Sequence, residues 1–498
     1  MITIDVYSNY SVITGEYDYL LVDKATRFRK SGYKHVRAYK THRWDGYTRL
    51  FNKRTGVFPT GLKDRIVKYY KKHNPEDLVK VVDHRKFKDK KSIPDIKSVC
   101  LNGIVLRDHQ VKACRAMLRK KQGVLWASTN SGKTACAIAV LKALNLKSLF
   151  LVKGKDLVIQ TYDRFKKRLG EEDVGIITAN KWDVKQFNVA STDTLSRRLS
   201  PPSGRVGKNT AKNKKMVEEL LTSMDVLIVD ECHQLASDGA YNVAKTCTAP
   251  YRYGLSGTPF KRGDKQDLKL IAMTGEVCYK ITNKEMIEDG VSVPAEINLI
   301  DVEFPVLSSQ MNYIDAYDLG IIRNGYRNRM ICEITEGYYT NGKSVLIIVK
   351  NIEHGHRLDE LLYAFRDDAF VPHTFIHGTT DLEERTEAIE SFKSGVTKVM
   401  IASSILDQGI DIPAIDVIIF ACGGNSQIRS IQRIGRGLRL NEEKEKLVII
   451  DFTDRTNKYL ARHSIDRIKT YQDEGCFDIN LVNDSRELNG VHQRTISG

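Results

Sequence analysis

From about residue 99 onward, short runs of aliphatic and β-branched residues alternate with helical stretches. The runs at 123–127, 148–152, 226–230, 345–349, 398–402, 417–420 and 447–451 are almost wholly apolar. Strands of that kind suit burial on both faces, which parallel sheets covered by helices provide; one-sided sheets alternate instead. There are too many runs for one small sheet. The body is expected to divide between residues 294 and 304, where the turn-rich Gly290-Val-Ser-Val-Pro294 precedes a new strand. The first 98 residues follow another pattern. Residues 10–13 and 19–22 read as strand pieces. Residues 48–58 read as a hairpin turning at Gly56, and 63–72 as a helix with Ile66, Val67 and Tyr70 on one face. The expected architecture is α/β: two parallel-sheet lobes in tandem, preceded by a small basic α+β domain. The expected boundaries are 1–98, 99–300 and 301–498, and no tandem repeat is present.

Composition narrows the class. Hydrophobic residues make up 41% and charged residues 28% of 498, which excludes collagen-like, coiled-coil and wholly disordered chains. No apolar run reaches the length of about 18 residues that suggests a membrane span. The N-terminus has no basic stretch before an apolar one, so no secretory signal is expected. The nine cysteines contain no Cys-x-x-Cys pair, which points away from a disulfide framework and fits a cytoplasmic location. Charge adds a direction. The net charge is +16, and residues 1–98 alone hold 23 Lys/Arg against 11 Asp/Glu. A basic unit on a nearly balanced body suggests a polyanion, nucleic acid ahead of a membrane surface. Residues 83–97 read as a basic linker. Residues 196–216, with seven Lys/Arg and no acid, read as a mobile basic loop.

The candidate chemistry lies in the body. Ala127-Ser-Thr-Asn-Ser-Gly-Lys-Thr134 follows a strand and precedes a helical run, the setting a phosphate-binding loop requires. Ser128, Thr129, Asn130, Ser131 and Gly132 would supply backbone N–H groups to phosphate. Lys133 would reach the β- and γ-phosphates, and the Thr134 hydroxyl would hold Mg²⁺. Ala127 and Asn130 stand where glycine is usual in such loops. The run 226–229 ends in Asp230-Glu231-Cys232-His233. Asp230, at a strand tip, would hold the magnesium, and Glu231 would take a proton from the attacking water; the bland alternative is a cap on the next helix. Gln432-Arg-Ile-Gly-Arg436-Gly-Leu-Arg439 offers Gln432 and, among its three arginines, Arg436 and Arg439. A guanidinium from Arg436 or Arg439 could neutralise transition-state charge, an effect worth about 10³–10⁵ in rate. That site would form only when two lobes close on ATP.

Together these residues resemble the superfamily 2 helicases and translocases. Leu106-Arg107-Asp-His-Gln110 is similar to the motif whose glutamine reads adenine. Residues 127–134 resemble motif I, 230–233 the DEAH-type motif II, and Ser256-Gly-Thr258-Pro motif III. Residues 402–413, with Gly409 and Asp411, resemble motif V, and 432–439 motif VI. The resemblance implies two RecA-like lobes with ATP and Mg²⁺ between them, and His233, Ser256 and Thr258 linking phosphate loss to strand grip. It implies nucleic-acid contacts at Lys153, Gln160, Ser191, Thr192, Lys350, His377, Gly378, Ser403 and Ser404, each of which could equally be a helix cap. Trp44-Asp-Gly46, Arg49-Leu50 and Phe58-Pro59, with the helix at 463–471, resemble phage helicases that remodel branched DNA. Trp44, Arg49 and Phe58 are then candidates for DNA contact or a fork wedge, against the ordinary role of core aromatics.

The function expected is an ATP-dependent DNA helicase acting on forks, junctions, displacement loops or R-loops, monomeric, without a membrane partner and with RNA admitted in hybrids. The alternatives are a duplex translocase that separates no strands and an ATP-clamped DNA-binding or annealing module.

Overall fold

A computed structural model describes residues 2–29, 32–88, 93–128, 131–200, 208–260, 267–364, 371–403, 415–424 and 446–482. The chain forms two compact units, Met1–Ile281 and Thr282–Gly498.

The first unit begins with β1 (Ile2–Val6), β2 (Tyr10–Gly15), β3 (Arg27–Arg29), β4 (Tyr47–Arg49), β5 (Val57–Pro59) and β6 (Val79–Asp83). Four of these strands form a sheet in the order β5-β2-β1-β6, while β3 and β4 pair separately. Alternation puts Ile2, Ile4, Val6 and Ile13 on the buried face, against Ile66 and Tyr70 of the helix Lys63–His73. Residues 19–22 are not a strand. They open the helix Tyr19–Thr26, because the Asp18 carboxylate accepts from Leu20 N at 2.8 Å and caps it. The turn at Gly56 stands, with φ of 69° and a Cβ there falling 2.4 Å from Ile13 O. The expected hairpin is reduced to an antiparallel bridge across that turn, Asn52 N donating to Val57 O at 2.8 Å, while as strands β4 pairs with β3 and β5 with β2.

The sheet is not a domain on a free tether. It shares one apolar core with the strands that follow, and the stretch after β6 is docked. Arg85 donates to Gln122 Oε1 at 2.8 Å, Phe87 packs edge-on against Tyr251, and Lys88 pairs with Asp225 at 2.9 Å.

The first lobe contains β7 (Gln122–Ala127), β8 (Ser148–Val152), β9 (Val174–Ile177), β10 (Trp182–Asp183), β11 (Phe187–Ser191), β12 (Val226–Val229), β13 (Tyr251–Ser256) and β14 (Val277–Ile281). Their order is β10-β9-β11-β8-β12-β13-β7-β14, parallel except for β10. The described residues of the basic island are mostly helical, in the helices Thr192–Leu199 and Lys208–Thr222.

The second unit is built on β15 (Ala295–Val302), β16 (Val345–Ile348), β17 (His373–Ile376), β18 (Val399–Ala402), β19 (Val417–Phe420), β20 (Leu447–Asp454) and β21 (Phe477–Val482). They form an all-parallel sheet ordered β17-β18-β16-β19-β20-β15-β21. β15 straddles the expected boundary at 300/301 yet pairs along its whole length with β20. The division therefore falls earlier in the chain, at Ile281/Thr282. The α/β architecture of two parallel-sheet lobes after an α+β N-terminal region is what the sequence pattern implies, and it agrees with the RecA-like lobes implied by the family resemblance. Among the described residues, no helix is long and apolar enough to cross a membrane.

Candidate nucleotide site and nucleic-acid contacts

Three neighbouring strands of the first lobe carry the candidate chemistry at their C-terminal ends. β7 runs into the phosphate loop, β12 into Asp230 and Glu231, and β13 ends at Ser256. β13 lies between the other two, so Ser256 stands between loop and acids.

Gly132, with φ of 78°, begins the helix Lys133–Leu144, a backbone shape glycine adopts without strain. A Cβ there would fall 2.3 Å from Gln110 Nε2. Gln110 is buried. Its Oε1 accepts from Arg107 N at 3.0 Å, and its Nε2 donates to Ser131 O at 3.0 Å. Both ends of the expected adenine reader are thus engaged on the helix start and the loop, while Arg107 is exposed. Lys133 Nζ folds back onto Ala127 O at 3.2 Å and lies 3.9 Å from Glu231 Oε1. Ser131 closes the loop by donating from Oγ to Ser128 O at 2.7 Å. Ser128 Oγ is buried without a partner among the described residues. Thr134 is half-buried in the first helical turn. Thr129 and Asn130 lie outside the described residues. A glycine-hinged cradle, a lysine held nearby and an orphaned hydroxyl fit a triphosphate.

Glu231 adopts the left-handed conformation, φ 44°, which is uncommon for a residue bearing a Cβ and marks a strained site. Its carboxylate takes His233 Nδ1 at 3.2 Å and Ser256 Oγ at 3.4 Å. Burial pushes the Glu231 carboxyl up, but Lys133, His233 and Ser256 outweigh it and hold it below the usual range. Asp230 goes the other way, raised by burial first and by adjacent Glu231 second. Two neighbouring carboxylates driven apart in acidity can take separate roles. Asp230 Oδ1 already accepts from Glu231 N at 3.0 Å. The network continues to motif III: His233 lies 3.3 Å from Ser256 Oγ, which accepts from Thr258 N at 3.2 Å. Thr258 Oγ1 is buried without a partner among the described residues.

Trp126 was not singled out from sequence. Its indole N–H donates to Gly257 O at 2.9 Å and ties the loop strand to motif III, with Lys280 over its ring at 4.3 Å. A large amphipathic ring in an otherwise aliphatic strand was the available signal.

Most of the described candidate contacts lie at or just after the C-terminal ends of sheet strands, whereas Gln160 sits within the helix Lys155–Leu169. In the first lobe, Lys153 and Gln160 are exposed. Ser191 instead caps the helix Thr192–Leu199, accepting from Thr194 N at 3.2 Å, and Thr192 is buried. In the second, Lys350 is exposed and stands over the Tyr317 ring at 5.0 Å. His377 holds Thr379 Oγ1 at 2.8 Å and its N–H donates to Thr380 at 3.0 Å. Gly378 is open to solvent, and Ser403 is buried. Ser404, Gly409, Asp411, Gln432, Arg436 and Arg439 lie outside the described residues.

The three N-terminal candidates differ in exposure: Phe58 takes the ordinary role of a core aromatic, Trp44 is half-buried and Arg49 is exposed. Phe58 is 1% exposed in the core and presents no face to a base. Arg49 is committed to Asp23 at 2.9 Å and to Asp45, whose carboxyl it holds at about 2. Trp44 is half-buried with its indole N–H on Tyr47 O at 2.8 Å. All three support the N-terminal structure.

Comparison with known proteins places this site in a family. Residues 103–261 match the family described as type III restriction enzyme, res subunit. Residues 327–441 match the helicase conserved C-terminal domain. This chain is an ATP-dependent superfamily 2 helicase. The helicase is 26% identical over 386 residues to the DNA 3'-5' translocase XPB2 of Sulfurisphaera tokodaii, covering 72% of this chain and 83% of that one. It is 23% identical over 378 residues to the ATP-dependent DNA helicase uvsW of Enterobacteria phage T4, covering 72% and 73%. Among solved structures it shares the fold of a fragment described as an HsdR subunit of a type I restriction enzyme from Vibrio vulnificus. There the TM-score is 0.59 at 17% identity, over 86% of the helicase and 75% of that chain.

Proposed function

We propose that this helicase is a DNA-stimulated ATPase that unwinds or branch-migrates branched DNA such as forks, four-way junctions, displacement loops and R-loops. The observation that carries the motor reading is the continuous contact from Lys133 through Glu231 and His233 to Ser256 and Thr258. It joins the phosphate loop to motif III through side chains as far as Ser256 Oγ, which accepts from the Thr258 backbone N–H. ATP supplies the phosphoryl group, and Thr134 and Asp230 would hold the magnesium that neutralises phosphate charge. When Lys133 leaves Ala127 O for phosphate, Glu231 loses its nearest cation and becomes a better proton acceptor. His233 and Ser256 then report the change at Glu231 to Thr258. Arg436 and Arg439 are the proposed fingers. The branched-DNA reading is supported by the basic N-terminal unit and by likeness to the phage T4 helicase.

The test is steady-state ATPase without nucleic acid and with single strand, duplex, four-way junction and RNA, alongside Glu231→Gln. Greatest stimulation by the junction, lost in the variant, is expected; no stimulation by any DNA would overturn the motor reading. A duplex translocase is the second reading, favoured by the restriction-subunit match. For that one, absence of strand displacement together with duplex stimulation is the expected result.

A further inference from the structure

The cations of the N-terminal unit are unevenly matched with acids. Between Asp23 and Asp45 the chain carries eight Lys/Arg and no Asp or Glu. This stretch is an arm. β3 and β4 form its base, Arg27 opposite Arg49 and Arg29 opposite Tyr47, and buried Phe28 anchors it in the core. Residues 32–46 run out and back through two short turns, Tyr33–His35 and Arg37–Lys40.

The bounding acids are consumed at the base. Asp23 takes Arg27 at 2.8 Å and Arg49 at 2.9 Å, and Asp45 takes Arg49. Beyond them Arg29, Lys34, Arg37, Lys40 and Arg43 are exposed, and none makes an ion pair among the described residues. Nor is the arm a loose tail. The Arg27 and Arg29 guanidinium groups lie over the Tyr47 ring at 4.2 and 4.4 Å, and Tyr33 packs edge-on against Tyr39 at 4.8 Å. Arg43 N and Trp44 N both donate to Ala38 O, at 2.9 and 3.1 Å. Gly46 leaves room for Tyr33, since a Cβ there would lie 2.7 Å from that ring. Like charges held close by such packing repel one another unless an anion is supplied.

We propose that this arm grips the phosphate backbone of the duplex arm of a branched DNA through Arg29, Lys34, Arg37, Lys40 and Arg43. What the grip serves rests on the motor reading; the binding itself does not. Backbone contacts of this kind position a duplex without reading its sequence. An anionic membrane is disfavoured, because insertion needs an apolar face and Val36 is the only exposed large hydrophobic of residues 32–46.

The test compares the full chain with its Lys34→Gln/Arg37→Gln/Lys40→Gln/Arg43→Gln variant by fluorescence anisotropy. The probes are a four-way junction, a single strand and anionic phospholipid vesicles, each across a salt series. On duplex DNA each phosphate contact contributes about 0.9 to the slope of log K against log salt. The variant is expected to lose about 2–4 from that slope on the junction and about tenfold or more in affinity at low salt. It should lose clearly less on the single strand. All four side chains are exposed, so the melting temperature is expected to match wild type. Lys40→Glu alone, a lighter change, should weaken junction binding in the same direction. Unchanged junction affinity and slope in both variants would overturn the proposal. So would equal loss on junction and single strand, or loss confined to vesicles. DNA-stimulated ATPase of the wild-type chain is scored separately: its absence would sink the motor reading while anisotropy still decides the arm.

Discussion

At the scale of single residues, Gly132 and Ser256 carry the sharpest expectations. Gly132 combines a left-handed φ with a neighbour, Gln110 Nε2, where a Cβ would fall. Gly132→Ala should both strain the loop and dislodge Gln110 from Ser131 O. Nucleotide affinity measured by titration calorimetry is expected to fall about tenfold or more, an effect of at least 1.4 kcal/mol. Wild-type affinity in that variant would show that the loop does not hold phosphate in this conformation. Ser256 bridges Glu231, His233 and Thr258 N. Ser256→Ala should leave ATP turnover in place while strand displacement falls, with their ratio shifting about 5- to 150-fold, the range of coupling energies between linked sites. Parallel loss of both activities would instead place Ser256 in the chemical step. The residue types and order of this site were legible in the sequence. The pairing of His233 with Ser256 was implied by the family resemblance and not by spacing, because it depends on β12 and β13 being neighbours in the sheet.

At the scale of elements, caps and buried ion pairs decide what periodicity leaves open. Residues 19–22 look like a strand piece, but Leu21, Val22 and Ala25 are the buried apolar residues of a helix capped by Asp18. Ser191 shows the reverse, a candidate contact that proves to be a cap. Ser191→Ala should cost about 1 kcal/mol, read as a lower urea midpoint. If DNA affinity fell while stability held, the cap account would be wrong. In the second unit the helix Lys458–Glu474 is locked to β20. Arg467 pairs with Asp451 at 2.9 and 3.1 Å, donates to Phe452 O at 2.7 Å and to Gly424 O at 2.6 Å, and Tyr471 OH also reaches Asp451. Arg467→Met would leave Asp451 buried without its cation. The expected loss is about 3–5 kcal/mol, measured by denaturant titration. A loss below about 1 kcal/mol would mean that the pair is solvated in solution.

At the scale of the whole molecule, acid should weaken the second unit. His354 is fully buried. Its Nε2–H donates to Asn328 Oδ1 at 2.9 Å, because Asn328 spends its amide on Ile322 O, while Nδ1 has no partner among the described residues. Burial, aided by Arg327 and Arg357, lowers its pKa from 6.5 to about 3. The folded form therefore stays neutral where the unfolded chain already binds a proton. This contribution to stability is complete above about 6.5 and is lost progressively as pH falls towards 3. Calorimetric melting between pH 7.5 and 5 should show the decline, and His354→Asn should flatten it. An equal slope in both proteins would assign the acid sensitivity elsewhere.

The parallel-sheet class, the phosphate loop, the acidic pair and the family motifs are all legible in the chain, because apolar strands and glycine-hinged loops are local in chain and in chemistry. Packing settles that the N-terminal sheet shares the first lobe's core, that β15 belongs wholly to the second unit and that Phe58 is core. It also settles that Arg49 is spent on Asp23 and Asp45, whereas Arg29, Lys34, Arg37, Lys40 and Arg43 face solvent without acids. Burial and ion pairing are set by partners distant in sequence, so composition can count charges but cannot say which of them are neutralised.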